Sequence, residues 1–561
     1  MKHEQNRRPK IAGLFGGAAV CFFLIAIGGS IPAWGAQRHV APSHPNATDS
    51  GEGGAAHPYR SISYAMSRIQ PGDTLYIAAG LYREAIIFPK RDWSSQKPTM
   101  VAGVGEVSIL GTDIVKGWRK LERGFFIREN WTNEPQQVVL NGHLLKQFGG
   151  TIFNGYPLRK GHDMADLHRS EGGIWPRRLT GGIKSMPLHS FYYDKERQAI
   201  LIRTDASSLE NDMVEVAVRP YLVQGERVAG ITIQNIAFRY STTSTISRQG
   251  AVTLMGCKNV LKNITVQDAD GAGIEIEGDD NEIRHSIVTR SGYLGIKARG
   301  KNVTIIANHV TFNNVRGFNK WWEAGGMKFI GGGGLRQSRV NGNEVTHNYG
   351  DGIWFDWGNE RNQISRNTVA YNTGFGIHYE ASSEAFIVDN RVFGNRQRGI
   401  YLPHSRNSLV ARNMVLANGL EGITAIDEHR QDNEGNLDLR PRNNRIVRNI
   451  VAWNKGLAVI LPGAEYGNTS DQNIYISDDG NPKFSMGWPN AGSGRKNINE
   501  WRGREKQDER SQTFKLAMSK EVRNALAHEK LGFDWSILKP YQAYVNRTYQ
   551  EVDSSADLLT K

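Results

Sequence analysis

From residue 231 onward, apolar and polar positions alternate in a short segment that begins with Gly-Ile and recurs every 22 to 24 residues where the spacing is undisturbed. Two copies read GIWFD at 352–356 and GIHYE at 376–380. Successive side chains of a strand point to opposite faces, so the isoleucine and the residue two places later share one face in every copy. Those positions are nearly all apolar, whereas the alternate positions are mostly charged or aromatic. The pattern predicts one strand per repeat, with a buried face and an outward face.

Asparagines five residues apart accompany the repeat, and a valine lies two places after the first asparagine of each pair. The pairs are Asn308/Asn313, Asn343/Asn348, Asn367/Asn372, Asn390/Asn395, Asn413/Asn418 and Asn449/Asn454. This period is typical of one coil of a parallel β-helix, and a disordered segment would not keep the apolar position. A content of 62 glycines and 39% hydrophobic residues also suits a turn-rich all-β protein. We predict a parallel β-helix over 229–495, with loops at 313–325, 331–336 and 428–443.

The first 35 residues predict an export signal. A basic start is followed by nineteen uncharged residues from Ile11 to Gly29, which is typical of a secretory signal peptide or of an uncleaved signal anchor. A cleavage site is predicted near Ala33-Trp34-Gly35. We expect an exported protein, periplasmic or extracellular, tethered to the inner membrane if the segment is retained. Residues 36–56, rich in Gly, Ser and Pro, predict a linker.

Residues 57–110 predict an N-terminal cap and the first coils. A short amphipathic helix from Ser61, a turn at 71–73 and a strand through Leu75 and Ile77 would close the end of a solenoid. The run through Pro58-Tyr59, Ile62, Ala65, Pro71-Gly72-Asp73-Thr74, Gly80-Leu81-Tyr82 and Glu84 resembles the opening of secreted right-handed parallel β-helix proteins of the pectin-lyase-like superfamily. The resemblance implies an all-β, right-handed parallel β-helix.

Two further regions depart from the repeat. Alternating short strands over 111–228 predict a β-rich insertion that forms one wall of a cleft. Residues 496–561 predict a C-terminal cap and extension, with a helix over 519–532 that ends at Gly532.

The net charge and the cysteine content limit which binding partners, disulfides and metal sites the protein can have. The net charge of +13 favours an anionic partner such as an acidic polysaccharide, a membrane surface or nucleic acid. No compact Lys/Arg block or standard nucleic-acid module is present, so we expect no nucleic-acid partner and membrane contact only through the N-terminal segment. Cys21 and Cys257 provide no disulfide framework and no thiolate metal site. We expect a monomer that uses no metal or other cofactor.

The outward positions of successive coils predict a functional strip. They read Glu275/Glu277, Lys297/Arg299, Lys328/Ile330, Trp354/Asp356, His378/Glu380, Tyr401/Pro403 and Thr424/Ile426. Neighbouring coils lie about 4.8 Å apart, so Asp356 and Glu380 share one slot on consecutive coils. Two carboxylates in register repel each other, and an outward tryptophan beside them is costly to expose without a ligand. We therefore expect an exposed strip that binds a polymer.

This spacing is close to the carboxyl separation of a retaining glycosidase. Glu323 could supply a third carboxylate, and Trp321, Trp322 and Trp354 offer flat faces for pyranose rings. Contacts with hydroxyls or a uronate are predicted for the remaining side chains near the pair. These are Lys297, Arg299, Lys328, His378 and Tyr401.

The combination WWEAGGMKF, DGIWFDWGN and FGIHYEAS (residues 321–382) resembles a group of bacterial secreted β-helix proteins and, more loosely, retaining β-helix glycoside hydrolases such as β-helix xylosidases. The resemblance implies that Asp356 is the nucleophile and Glu380 the acid/base. The residues by themselves do not decide which of the two acids is the nucleophile and which is the acid/base.

Two other functions stay open. A polysaccharide lyase or uronate epimerase would use a Lys or Arg base, and Lys297, Arg299 and Lys328 lie beside the acids. However, the chain carries neither an Asp-Pro-His-Asp motif nor a Lys-Ser pair five residues after Glu275-Ile276-Glu277. A non-catalytic glycan-binding or exopolysaccharide-assembly protein could use the same strip to hold a chain, since the fold does not fix the function.

Overall fold

The computed structural model describes residues 35–546 except 123, 150–180, 244–248, 322, 433–434, 436, 488–493 and 533–534. Its strands stack as coils, each of which contributes one strand to each of three parallel sheets. The predicted leader lies outside the described residues. Within them, no helix is both long and apolar enough to span a membrane.

Sheet 1 contains the Gly-Ile strands. Its strands are Ile86–Ile87, Val223–Ala229, Gly250–Cys257, Ala272–Glu277, Leu294–Lys301, Gly325–Phe329, Asp351–Asp356, Ile377–Glu380, Ile400–Pro403, Ile423–Ile426, Val459–Leu461 and Phe484–Met486. Leu335–Arg336 pairs with the end of Leu294–Lys301 beside this sheet.

Sheets 2 and 3 complete each coil. Sheet 2 continues through Gln37–Val40, Ile231–Gln234, Val260–Lys262, Glu282–Arg284, Thr304–Ile306, Arg339–Asn341, Gln363–Ser365, Phe386–Val388, Leu409–Ala411, Arg445–Val447 and Thr469–Asp471. Sheet 3 continues through Ala237–Arg239, Thr265–Gln267, Ile287–Thr289, His309–Thr311, Glu344–Thr346, Thr368–Ala370, Arg391–Phe393, Met414–Leu416, Ile450–Ala452, Ile474–Ser477 and Gln512–Lys515. The long strands Thr74–Tyr82 and Thr99–Leu110 run through both sheets.

The interior of the coils is the apolar core, as the alternation predicted. Ile353 and Phe355 point inward and are fully buried, and the equivalent residues of neighbouring coils are buried too. The glycine before each inward isoleucine lies where a side chain would clash with the neighbouring coil. A Cβ on Gly352 would lie 2.5 Å from a Val369 methyl and 2.7 Å from the Gly376 carbonyl oxygen, closer than atoms can pack.

The recurring asparagines form two buried ladders at the turns that flank sheet 3. Asn390 Oδ1 accepts hydrogen bonds from the backbone N (3.0 Å) and Nδ2 (3.0 Å) of Asn367. Asn390 Nδ2 in turn donates to the Ile364 carbonyl (2.8 Å) and to Asn413 Oδ1 (2.9 Å). Each side chain thus satisfies buried backbone groups and the next rung, which a buried polar group requires.

The N-terminal cap differs from the predicted linker over 36–56. Gln37–Val40 pairs in parallel with Thr74–Tyr82 and so begins sheet 2. The helix Ile62–Arg68 is capped by the Ser61 side chain, as expected, and buries its apolar face against the first coils. Asp73 links the turn at 71–73 to the strand Gln37–Val40, because its carboxylate accepts a hydrogen bond from Arg38 Nε at 2.8 Å.

The insertion contains two small sheets with their own core, antiparallel except that Lys146–Gln147 pairs in parallel with Ser190–Asp194. One consists of Arg119–Glu122, Phe125–Arg128, Lys146–Gln147, Ser190–Asp194 and Ala199–Arg203, and the other of Thr112–Ile114, Val138–Leu140, His143–Leu144 and Val214–Ala217. The predicted end at 228 is too late, since Val223–Ala229 already belongs to sheet 1.

A buried arginine fastens the insertion to the coils. Arg316 forms an ion pair with Asp270 of the β-helix, donates to Gln147 Oε1 at 2.8 Å, and reaches the Gln136 carbonyl at 2.7 Å. The insertion is therefore held beside sheet 1.

The C-terminal extension closes the core and covers one sheet. In the helix Ile498–Glu505, Trp501 stacks on Phe484 with ring centroids 5.3 Å apart and seals the end of the coils. The helices Lys520–Ala527 and Lys539–Asn546, with the short 3₁₀ turns Ile183–Ser185, Ala464–Tyr466 and Ser536–Leu538, complete the helical content of the described residues. The extension packs on apolar outward residues of sheet 3, namely Phe393, Met414, Leu416 and Ile450.

We predict that Asn390→Ala destabilises the protein by about 3 kcal/mol, because it leaves the buried backbone N–H of Asn367 without its acceptor and removes the bonds from Asn390 Nδ2 to the Ile364 carbonyl and to Asn413. Urea denaturation measures the difference. Asn481→Ala, at an exposed asparagine outside the ladders, is the matched control and is expected within about 0.5 kcal/mol of wild type. Equal losses in the two variants would contradict a stabilising role for the ladder.

Candidate active site

Asp356 and Glu380 lie side by side at the ends of consecutive strands of sheet 1. The two strands pair in parallel, with Trp354 opposite His378 and Asp356 opposite Glu380. This is the register that the repeat predicted. The surroundings differ from the prediction, because the strip is covered rather than exposed. Asp356 is 9% and Glu380 7% exposed.

Two loops account for part of this cover. From the loop at 427–443, Arg430 forms an ion pair with Glu380 and lies 5.3 Å from the centre of the Trp357 ring. From the loop at 312–324, Trp321 packs edge-on against Phe375, with ring centroids 5.6 Å apart. The loops that the sequence placed outside the stack fold over the outward face of sheet 1.

Four outward side chains on consecutive coils stack in one column. Lys328 Nζ lies 3.1 Å from the centre of the Trp354 ring, and Trp354 stacks on His378 at 4.9 Å with 11° between the planes. The Tyr401 ring continues the column 5.0 Å from His378. In-register pairing brings these side chains together, since equivalent positions of a parallel sheet are one strand spacing apart.

Lys328 is the positively charged partner of Asp356 in an ion pair. Its Nζ lies 2.9 Å from Asp356 Oδ2, and the residue is 1% exposed. Burial lowers the pKa of Lys328, opposed by the negative charges of Asp356, Glu323 and Asp351. The predicted contact of Lys328 with a uronate stays a prediction, because in this conformation the side chain is buried and a ligand reaches it only if its cover moves.

Glu380 has three polar neighbours. Trp354 Nε1 donates to its Oε2 at 3.0 Å, Arg430 pairs with its Oε1, and His378 Nε2 lies 3.3 Å from Oε2. Trp354 is 5% exposed, with one face against Lys328 and the other against His378. The predicted role of Trp354 as a platform for a sugar ring is therefore wrong. Its indole N–H orients a carboxylate instead.

Trp321 and Glu323 lie near the column. Trp321 is 55% exposed and keeps a face open to solvent, whereas Trp322 lies outside the described residues. Glu323 is buried and accepts a hydrogen bond from the Tyr293 hydroxyl. The negative charge of Glu323 also opposes the lowering of the Lys328 pKa, which places Glu323 near Lys328.

The earlier coils of sheet 1 carry two acid–base pairs. Lys297 Nζ lies 3.2 Å from Glu275 Oε1, and both side chains are buried. Arg299 pairs with Glu277 and remains half-exposed. Lys297 is therefore paired with a carboxyl group of the protein rather than open to a ligand, while Arg299 faces solvent.

Sequence patterns did not identify several residues of the site. Asp351 Oδ2 lies 2.9 Å from His378 Nδ1, although Asp351 occupies the place before the Gly-Ile step and carries no periodic signal. Glu428 accepts a hydrogen bond from the Tyr401 hydroxyl, and burial together with this carboxylate raises the pKa of Tyr401. Arg430 and Glu428 come from a non-repetitive loop, which periodicity cannot place.

Comparisons with known proteins agree on the architecture. A family model described as right handed beta helix region matches residues 250–416. The solved complex of XylC with xylose is 14% identical, with 78% of this chain and 83% of that chain covered and a TM-score of 0.51.

Two further solved structures are similar to the chain over comparable lengths. A glycoside hydrolase is 11% identical, with 78% of this chain and 96% of that chain covered and a TM-score of 0.46. The mannuronan C-5 epimerase AlgE4 A-module of Azotobacter vinelandii is 11% identical, with 81% and 94% covered and a TM-score of 0.39. The match of the family model and the likeness to the XylC complex confirm the predicted all-β, right-handed parallel β-helix.

We predict a pH-dependent stability difference between wild type and Glu275→Gln. Burial raises the pKa of Glu275 to about 8, with Lys297 opposing the rise. The folded protein therefore keeps this proton well above the pH at which the unfolded chain loses it, so wild-type stability falls as pH rises toward 8. The glutamine variant lacks this loss.

Thermal melts of both proteins at pH 5 and pH 8.5, in the same buffers, test the prediction. The melting temperature of Glu275→Gln minus that of wild type is expected to be more positive at pH 8.5. A difference that stays constant or becomes more negative would contradict it.

Proposed function

We propose that the protein is a carbohydrate-active enzyme of the retaining glycoside hydrolase type, with Asp356 and Glu380 as its carboxylate pair. The observation that carries the proposal is the in-register placement of the two acids on consecutive strands of sheet 1. Such strands are about 4.8 Å apart, close to the carboxyl separation of about 5 Å in retaining glycosidases.

The different partners of the two acids support different roles. Lys328, at 2.9 Å, neutralises Asp356 and favours its carboxylate, the form a nucleophile needs. Glu380 lies against Trp354 and next to His378, and its one guanidinium partner comes from a loop. We assign Asp356 as nucleophile and Glu380 as acid/base.

The reaction then follows a double displacement. Asp356 forms a bond to the anomeric carbon while the glycosidic bond breaks, and Glu380 gives its proton to the departing oxygen. A water molecule next attacks the anomeric carbon, Glu380 takes a proton from that water, and the bond to Asp356 breaks. Both residues return to their starting states.

A sugar reaches the pair only if Arg430 moves away from Glu380. The Arg430 side chain is 40% exposed, so its departure uncovers Glu380 without disturbing the core. The exposed ring of Trp321 provides a flat apolar face for a further pyranose ring. We propose an exported enzyme that acts on an oligosaccharide or polysaccharide.

One observation favours a second function. Lys328 has its pKa lowered by burial and lies among Asp356, Glu323 and Asp351, which suits a base that abstracts a proton next to a uronate carboxylate. A polysaccharide lyase or uronate epimerase is therefore the alternative.

We predict that Asp356→Asn and Glu380→Gln each reduce turnover at least about 10³-fold, because each removes one half of the reaction. The substrate is first found by incubating the full-length protein with neutral and acidic glycans and separating the products by mass. New reducing ends without absorbance near 235 nm indicate hydrolysis, whereas that absorbance indicates elimination.

The matched control is Asp389→Asn, which alters a carboxylate paired with Arg412 at a turn between sheets 2 and 3. It is expected to keep turnover within about twofold of wild type. Near-full rate in either Asp356→Asn or Glu380→Gln, with the coils folded by circular dichroism, would exclude the assigned pair.

A further inference from the structure

We propose that His378 and Glu380 hold one proton between them, and that Asp351 fixes the His378 ring so that this proton can be passed to Glu380. The inference rests on the proposed function, since it explains how the acid/base obtains its proton. Asp351 and His378 would be positioning residues, because both act through Glu380.

Asp351 determines which ring nitrogen of His378 is a donor. Asp351 Oδ1 accepts a hydrogen bond from the backbone N–H of Phe375 at 2.8 Å, and Oδ2 lies 2.9 Å from His378 Nδ1. A carboxylate accepts hydrogen bonds, so Nδ1 carries a hydrogen in either charge state of the ring. Both residues are at least 96% buried, which protects this contact from competition by water.

The other ring nitrogen points at Glu380. His378 Nε2 lies 3.3 Å from Glu380 Oε2, and within the described part of the chain it has no hydrogen bond. The ring cannot turn away, because Trp354 and Tyr401 stack on its two faces and Phe375 meets its edge at 5.0 Å. A buried ring nitrogen without a partner carries a cost that one shared proton removes.

In the resting site the proton belongs on His378. Trp354 Nε1 and Arg430 both donate to Glu380, and donors favour the carboxylate. An imidazolium between Asp351 and Glu380 then has an anion at each nitrogen.

The charged groups around the ring come from several elements. Lys328 lies behind Trp354, and Arg398 lies over the rings of Phe375 and Tyr401. Glu428 accepts from Tyr401, and Arg430 reaches Glu380 from the loop. Arg430 is the one among these that contacts Glu380 directly, so its removal changes Glu380 most.

The entry of a ligand would therefore convert Glu380 from its carboxylate to its protonated form. A sugar that takes the place of Arg430 removes the cation from Glu380, and the proton moves from His378 Nε2 to Glu380 Oε2. Glu380 then passes it to the departing glycosidic oxygen. In the second half of the reaction Glu380 takes a proton from the attacking water and returns it to His378.

Nitrogen-15 NMR of the full-length protein, labelled at its 15 histidines and free of ligand, tests the shared proton directly. The His378 signals are assigned by their loss in His378→Gln. At pH 7 we expect N–H signals from both ring nitrogens in wild type. In Glu380→Gln we expect the Nε2–H signal to weaken and Nδ1–H to remain, because the variant removes the negative charge beside Nε2.

His404 is the internal control. Its Nδ1 lies 3.1 Å from the Leu439 carbonyl and its Nε2 accepts from the Glu428 backbone at 3.3 Å, so its signals are expected to be the same in wild type and in every variant. Unchanged His404 signals also show that a variant is folded. A second variant, Arg430→Gln, changes a surface side chain and is expected to weaken the Nε2–H signal of His378 at pH 7.

Three outcomes would overturn the proposal. These are a neutral His378 in wild type, an Nε2–H signal that is undiminished in Glu380→Gln, or one that is unaffected in Arg430→Gln. The proposed function fails separately, if the expected NMR signals are present but none of the glycans is cleaved.

Discussion

The hydrogen bond from one asparagine rung to the next is the constraint on which the rest of the structure depends. Each side chain pairs with buried backbone groups at or beside the turns and with the next asparagine, which holds consecutive coils in register. Register is therefore set at the corners of each coil. The Asn308-to-Asn343 and Asn413-to-Asn449 rungs persist although loops of different length separate their residues.

Different positions of each coil have different roles, which explains how the coils can carry a functional site. The corners hold the register, and the interior isoleucine and aromatic positions supply burial. Outward positions of sheet 1 are then free to carry side chains that destabilise a sheet. Asp356 beside Glu380 is such a pair, and the cations Lys328 and Arg430 offset its repulsion, each by pairing with one of the two acids. One cation belongs to the sheet itself and the other to a loop, which makes the two acids unequal.

Much of the fold could be predicted because its rules are local and periodic. The strand alternation, the asparagine spacing and the Ser61-capped helix each depend on nearby residues. The register of Asp356 with Glu380 followed from them. Burial of the outward face could not be predicted, because the loops that cover it have no period. Trp354 illustrates the limit, since an outward indole in a strand has the same pattern whether a sugar or a lysine lies on its face. Asp351 was missed for a related reason, because its partner His378 lies on the next coil, 27 residues along the chain.

The extension over sheet 3 has a consequence for how the chain matures. Phe393, Met414 and Leu416 face outward and obtain their cover from Trp535, Leu538 and their neighbours, which are synthesised more than a hundred residues later. A ribosome-bound chain that has completed its coils still exposes this apolar surface. Shielding by a chaperone, or delay of coil assembly until the last segment emerges, would keep two nascent chains from adhering through it.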